Sequence, residues 1–178
     1  MKALKNTSMA LLFVAVLWAM PATAQSSSTS QLTDPEIASV AVTANQIDVD
    51  YGKIALKKAK NAEARKFAQT MIDDHTSIID QAVALATKLG VTPKDNVVTQ
   101  SLLDGAKKIK RTLNRKKGKA FDKAYIDNEV DYHEAVISTI KNVLIPQTQN
   151  AELKDLLKSA MPLLEHHLEM AKTAQADL

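Results

Sequence analysis

Cysteine is absent from this chain, glycine occurs four times, and aromatic residues make up only 4% of it. Without cysteine there is no disulfide framework and no thiolate to act as nucleophile, redox pair or metal ligand, so a domain of this size must be held by packing alone. The glycines form no phosphate-cradling loop, and neither a Ser-His-Asp signature nor a Cys-His pair is present. No reaction is therefore assigned, and a binding role is expected rather than an enzymatic one. After residue 20 no apolar run is long enough to span a bilayer. What is abundant is Ala, Leu and Lys, a composition that favours helices.

The first residues read as a targeting segment. Lys2 and Lys5 give a positive start, Met9 to Met20 an apolar stretch too short for an ordinary membrane helix, and Ala22-Thr23-Ala24 a small-residue cleavage signature. Residues 1–24 are thus expected to be a signal peptide, with the mature N-terminus at Gln25. The protein would be exported to the periplasm or the outer-membrane periphery. Those two lysines belong to the 23 basic residues that stand against 20 acidic ones, so the exported part is nearly neutral. Residues 25–33, polar and Ser-rich, read as a disordered linker. Residues 34–178 suit one domain.

Within that domain the apolar residues recur at three-four spacing. Asp34-Pro35-Glu36 marks a helix start, with Asp34 as the cap, and Ile37, Ala41, Ala44, Ile47, Tyr51 and Ala55 form the stripe of a helix ending near Lys58. Asn61 caps a second helix that stops at Gly90. A shorter helix over residues 97–115 lies in the long connection that follows. A third long helix runs from near Lys119 to Pro146, and a fourth starts after Asn150. Pro162 should kink the fourth and free the carbonyl of Lys158. The expected fold is all-α: a ferritin-like antiparallel four-helix bundle with a long helical crossover between the second and third bundle helices.

Four polar residues interrupt these stripes: Asp48, His75, His133 and His167, one on each long helix. At about 1.5 Å per residue, Asp48 lies roughly 18 Å and His75 roughly 22 Å from the turn joining their helices. His133 and His167 lie at similar depth from the turn between theirs. The four are expected to share one mid-bundle layer, with His166 facing away from the core. Two readings fit them. A hydrogen-bonded Asp–His network would be purely structural. Alternatively the imidazoles and the carboxylate hold a divalent transition metal such as zinc, iron or copper, with Asp74, Glu129 and Glu165 available to support the ligands. The di-iron ferritin pattern needs Glu three residues before His. Ile72, Val130 and Leu164 stand there instead, so a di-iron oxidase is excluded.

A basic run comprises Lys107, Lys108, Lys110, Arg111, Arg115, Lys116, Lys117 and Lys119. It is either a solvated helix face or a peripheral contact for an anionic envelope surface. It carries no aromatic residue for base stacking, so nucleic acid is not an expected partner.

Taken together, D-V-x-x-G-K-I-A at Asp48 to Ala55, F-A-x-x-M-I-x-D-H at Phe67 to His75, F-D-x-x-Y-I at Phe121 to Ile126 and M-P-L-L-x-x-H-L at Met161 to Leu168 resemble the exported bacterial family called domain of unknown function 4142. The resemblance covers nearly all of residues 25–178. It implies a ferritin-like four-helix fold and a periplasmic or outer-membrane-associated location, and it supplies no reaction. Where that family usually has Glu in the first helix, this chain has the shorter Asp48. The functional expectation is an exported, non-catalytic binding or stress-related bundle. The alternative is a metal-binding protein built on the four mid-bundle residues.

Overall fold

Three of the helices begin where an asparagine side chain satisfies otherwise free N–H groups of the first turn. The computed structural model describes residues 31–178; the expected signal peptide and most of the expected linker lie outside the described residues. Helix α1 spans Asp34–Lys58, α2 Ala62–Leu89, α3 Val97–Arg115 and α4 Gly118–Thr139. A π-helical turn, Ile140–Leu144, leads into the short α5, Ile145–Gln147, and α6 spans Ala151–Ala176. Asn61, Asn96 and Asn150 cap α2, α3 and α6, each accepting from N–H groups two or three residues ahead. Gly90 ends α2 at φ 63°, and Gly118 opens α4 at φ 54°, backbone conformations open to glycine without strain.

Two boundaries differ from the sequence reading. The cap of α1 is Thr33, not Asp34: Glu36 accepts from the Thr33 N–H at 2.9 Å and from its hydroxyl at 2.7 Å, a reciprocal capping box. Leu32, just before it, is buried and donates its N–H to Gln147. The third long helix does not simply stop at Pro146. Its ladder widens at Ile140–Leu144, where the Ile145 N–H bonds back to Ile140, and then continues to Gln147. Proline offers no N–H and its ring clashes with the carbonyl four residues back, and a widened turn relieves both faults. By contrast α6 runs as one element through Pro162, whose side is exposed.

The long helices α1, α2, α4 and α6 form a four-helix bundle, and α3 is the crossover, packed against α1 and α4. Among the described residues there is no strand, and no helix is long and apolar enough to cross a membrane. Gly52 lets α1 and α2 approach closely: a Cβ there would lie 2.9 Å from the Ala68 carbonyl oxygen. Each end of the bundle is tied by an aspartate from the opposite helix pair. Asp122 of α4 accepts the N–H groups of Lys60 and Asn61, in the α1–α2 turn. Asp34 of α1 accepts those of Gln149 and Asn150, before α6.

Two apolar clusters fill the interior. One, at the α1–α2 turn, contains Phe67, Met71, Phe121, Tyr125, Ile126 and Leu113. The other, at the opposite end, is aliphatic, with Ile37, Val40, Ile140, Leu144, Leu157 and Leu164. The polar layer lies between them.

Candidate metal centre

Helical periodicity alone brings His75, His133 and His167 to the same level, because each sits on the buried stripe of its helix. Their ring centroids are 5.1–5.6 Å apart. Asp48 joins them from α1: one carboxylate oxygen, Oδ2, lies 3.2 Å from His75 Nε2 and 3.5 Å from His133 Nε2. All four residues are at most 3% exposed. His166, the next residue to one of them, is exposed.

Each imidazole is held by an acceptor on its outer side. His75 Nδ1 meets Asn45 Oδ1 at 2.7 Å, His133 Nδ1 the Glu129 carbonyl at 2.9 Å, and His167 Nε2 the Asp74 carboxylate at 2.9 Å. The amide of Asn45 donates to the Ala41 carbonyl at 2.8 Å, which fixes its oxygen toward the ring. An acceptor can only be met by a ring N–H, so the tautomers follow from these partners. The inner nitrogens, His75 Nε2, His133 Nε2 and His167 Nδ1, are then bare lone pairs. These three atoms are buried without a hydrogen-bond partner, as are both oxygens of Asp48. A ring N–H turned outward to an acceptor, with the second nitrogen left open inward, is the arrangement that orients metal-ligating histidines.

Electrostatics keep those lone pairs available. Burial lowers His75 to about 2, helped by the two neighbouring imidazoles, and lowers His133 to about 4. Burial also lowers His167, against the pull of Asp74. All three rings are neutral near pH 7. Burial pushes the Asp48 carboxyl up to about 7, and burial plus the adjacent Asp48 carries Glu129 well above the usual carboxylate range. The buried Tyr125 hydroxyl, also unpartnered, is raised by burial and by those two carboxyls, so it remains a donor.

Two groups of side chains offer ligand atoms lying within 4.8 Å of one another: His75, His133 and His167, and Asp48, Glu129 and His133. That limit is slightly wider than two metal–ligand bonds of about 2.0–2.2 Å. Of the supporting residues named from sequence, Asp74 and Glu129 take part. Glu165 does not: it is exposed, one residue out of phase with the buried Leu164 on the α6 stripe. The sequence reading missed Asn45. It stands one helical turn before Asp48 on the same face, and that i, i+3 spacing was the available signal.

Most of the basic run is exposed, as both readings of it require. Lys107, Lys108, Arg111, Arg115, Lys116, Lys117 and Lys119 are exposed, while Lys110 pairs with Asp50 at 2.9 Å. At the same end of α3, Lys58 of α1 donates to the carbonyls of Leu113 and Asn114.

The family model described as "Domain of unknown function (DUF4142)" matches residues 19–174. The chain belongs to the DUF4142 family. No curated protein matches it. Among solved structures it is similar to "CopM in the Cu(II)-bound form", with a TM-score of 0.61 and 20% sequence identity. The match covers 82% of this DUF4142 chain and 98% of that one. At this identity the likeness speaks to the fold: CopM is a structural neighbour of the bundle.

Proposed function

We propose that this DUF4142 protein is an exported metal-binding bundle, and that His75, His133 and His167 with Asp48 hold one divalent transition ion, copper(II) before zinc or iron(II). The observation that carries the reading is the inward convergence of three bare imidazole nitrogens, two of which, on His75 and His133, also face the Asp48 carboxylate. A proton-only network serves it poorly. Each outer nitrogen already uses the one N–H that its neutral ring owns. The carboxyls of Asp48 and Glu129 and the Tyr125 hydroxyl could supply three protons at most, against three bare nitrogens and the remaining carboxyl oxygens. One cation satisfies the inward lone pairs together. A set of three imidazoles and a carboxylate, without thiolate, suits copper(II), zinc or iron, and copper(II) binds such sites most tightly in the first-row divalent series. The copper(II)-bound state of the structural neighbour CopM agrees with that order. The metal-free alternative, a structural polar layer in a non-catalytic partner-binding bundle, would instead have to serve these atoms with the protons of Asp48, Glu129 and Tyr125.

The test uses protein purified without a histidine tag and stripped of metal. Titration with copper(II), zinc and iron(II) should show one tight equivalent, with copper the tightest, and the bound copper should show a nitrogen-rich spectroscopic signature. Metal at 100 times its dissociation constant should raise stability by about 2.7 kcal/mol. His75→Leu and His167→Leu should lose that increment. Equal metal stabilisation of variants and parent would remove these histidines from the ligand set and overturn the reading.

A further inference from the structure

A cavity of about 460 Å³ adjoins the histidine layer, with Asp48, His75 and His133 in its wall. On α2 its lining runs from His75 to Leu89, roughly 21 Å at about 1.5 Å per residue. The volume is within the range of about 300–1,000 Å³ typical of small-molecule sites. Its lining is mostly apolar and also takes in α3 and α4, through Ala106, Ile109 and Ala135. Small side chains create the space. Ala41 and Ala44 of α1, Ala82 and Ala86 of α2 and Ala160 of α6 all line it. The widened turn of the third long helix contributes Ile140 and Leu144. Ala82, Ala86 and Ala160 are half-buried, so solvent reaches the cavity beside α2 and α6.

No lysine or arginine lines the cavity, Asp34 and Asp131 also border it, and its end at the layer holds the unpartnered Nε2 atoms of His75 and His133 and the Asp48 carboxylate. A divalent ion there, together with ionised Asp48, leaves one net positive charge beside an apolar channel. Copper(II) favours tetragonal coordination, which would leave room for a ligand beyond the four protein groups. We propose that the cavity binds an aliphatic monocarboxylate, its head group on the metal and its tail running between α1, α2 and α6 toward the aliphatic end. The inference rests on the metal reading above. It adds a ligand class, and it assigns a role to the packing defect in this half of the bundle.

The probe is decanoate, titrated calorimetrically into the copper-loaded full chain, its metal-free form, and the copper-loaded variants Ala82→Phe and Ala160→Phe. Copper stoichiometry is measured separately on each protein. Thermal melts check folding of the variants, which place bulk into existing space from two neighbouring helices, α2 and α6. Decanoate is expected to bind the copper-loaded protein at micromolar concentration and to shift the copper absorption band. Binding should fall at least tenfold without metal and in either Phe variant, with copper stoichiometry retained. No decanoate binding to copper-loaded protein, or equal binding to both folded Phe variants, would overturn the proposal. Binding without a spectral change would also overturn it, because the head group would then lie away from the ion. If the unmodified chain binds no copper, the metal reading fails on its own measurement. Decanoate binding to that metal-free chain, blocked by Phe, would then place a chain in the cavity without the ion and overturn the inference as stated.

Discussion

The two halves of the bundle are built from the same four helices but packed to different standards. At the α1–α2 turn, Phe67, Phe121 and Tyr125 stack or meet edge to face at 6.1–6.3 Å, and Ala55, Ala68, Phe121 and Ile126 have no measurable exposure. At the other end the fillers are branched aliphatics separated by alanines. Leu85 and Val136 are only partly buried there, and a large cavity remains. The closing aspartates follow the same division: Asp122 is 2% exposed, while Asp34 is half-buried. Close packing is the ordinary condition of a protein interior. The loose half is therefore the informative one, and it is the half into which the metal layer opens.

This contrast can be broken by experiment, beginning with the largest expected effect. Ile126→Ala in the dense half should cost close to 5 kcal/mol, the upper end of the range for such truncations. Ile140→Ala, beside the cavity, should cost nearer 2 kcal/mol, because its surroundings are already underpacked. Urea unfolding gives both values, and the reverse order would end the distinction between halves. Next come the two clamps. Asp122→Ala leaves two part-buried N–H groups without their buried, charged acceptor and should lose about 2 kcal/mol, whereas Asp34→Ala exposes its N–H groups to water and should lose about 1 kcal/mol. Equal losses would show that burial does not separate the two ends. Gly52→Ala tests the tight seam between α1 and α2. Its Cβ would meet the Ala68 carbonyl at 2.9 Å, and a cost of about 1–3 kcal/mol is expected in thermal melts.

The smallest effect is at the Thr33–Glu36 box. Hydrogen bonds from the Thr33 N–H and hydroxyl hold the Glu36 carboxyl below its ordinary value of 4.5. A depressed carboxylate binds fewer protons in the folded state than in the unfolded one. Its contribution is therefore present above about pH 4.5 and disappears as pH falls through the lowered folded value. Glu36→Gln should flatten that part of the stability–pH curve. An unchanged curve would show that the box adds nothing to the loose end.

Much of this was written along the chain. The three-four spacing of Ala64, Phe67, Met71, His75 and Ile78 made α2 legible, and Asn61 and Gly90 marked its ends, because caps and periodicity are local properties. The placement of Asp48, His75, His133 and His167 on buried stripes at equal depth was legible for the same reason: a helix converts residue number into height and direction. The sequence could not say which ring nitrogen faces inward. That depends on Asn45, Asp74 and the Glu129 carbonyl meeting the rings, two of these partners coming from a neighbouring helix. Nor could it show the cavity. An alanine on a stripe reads as core whether a facing side chain fills the space above it or not, and filling is settled only when four helices are brought together. The π turn before Pro146 is of the same kind. Proline announces a fault in the ladder, but whether the helix breaks, kinks or widens is decided by the packing of Ile140 and Leu144 against the other helices of the bundle.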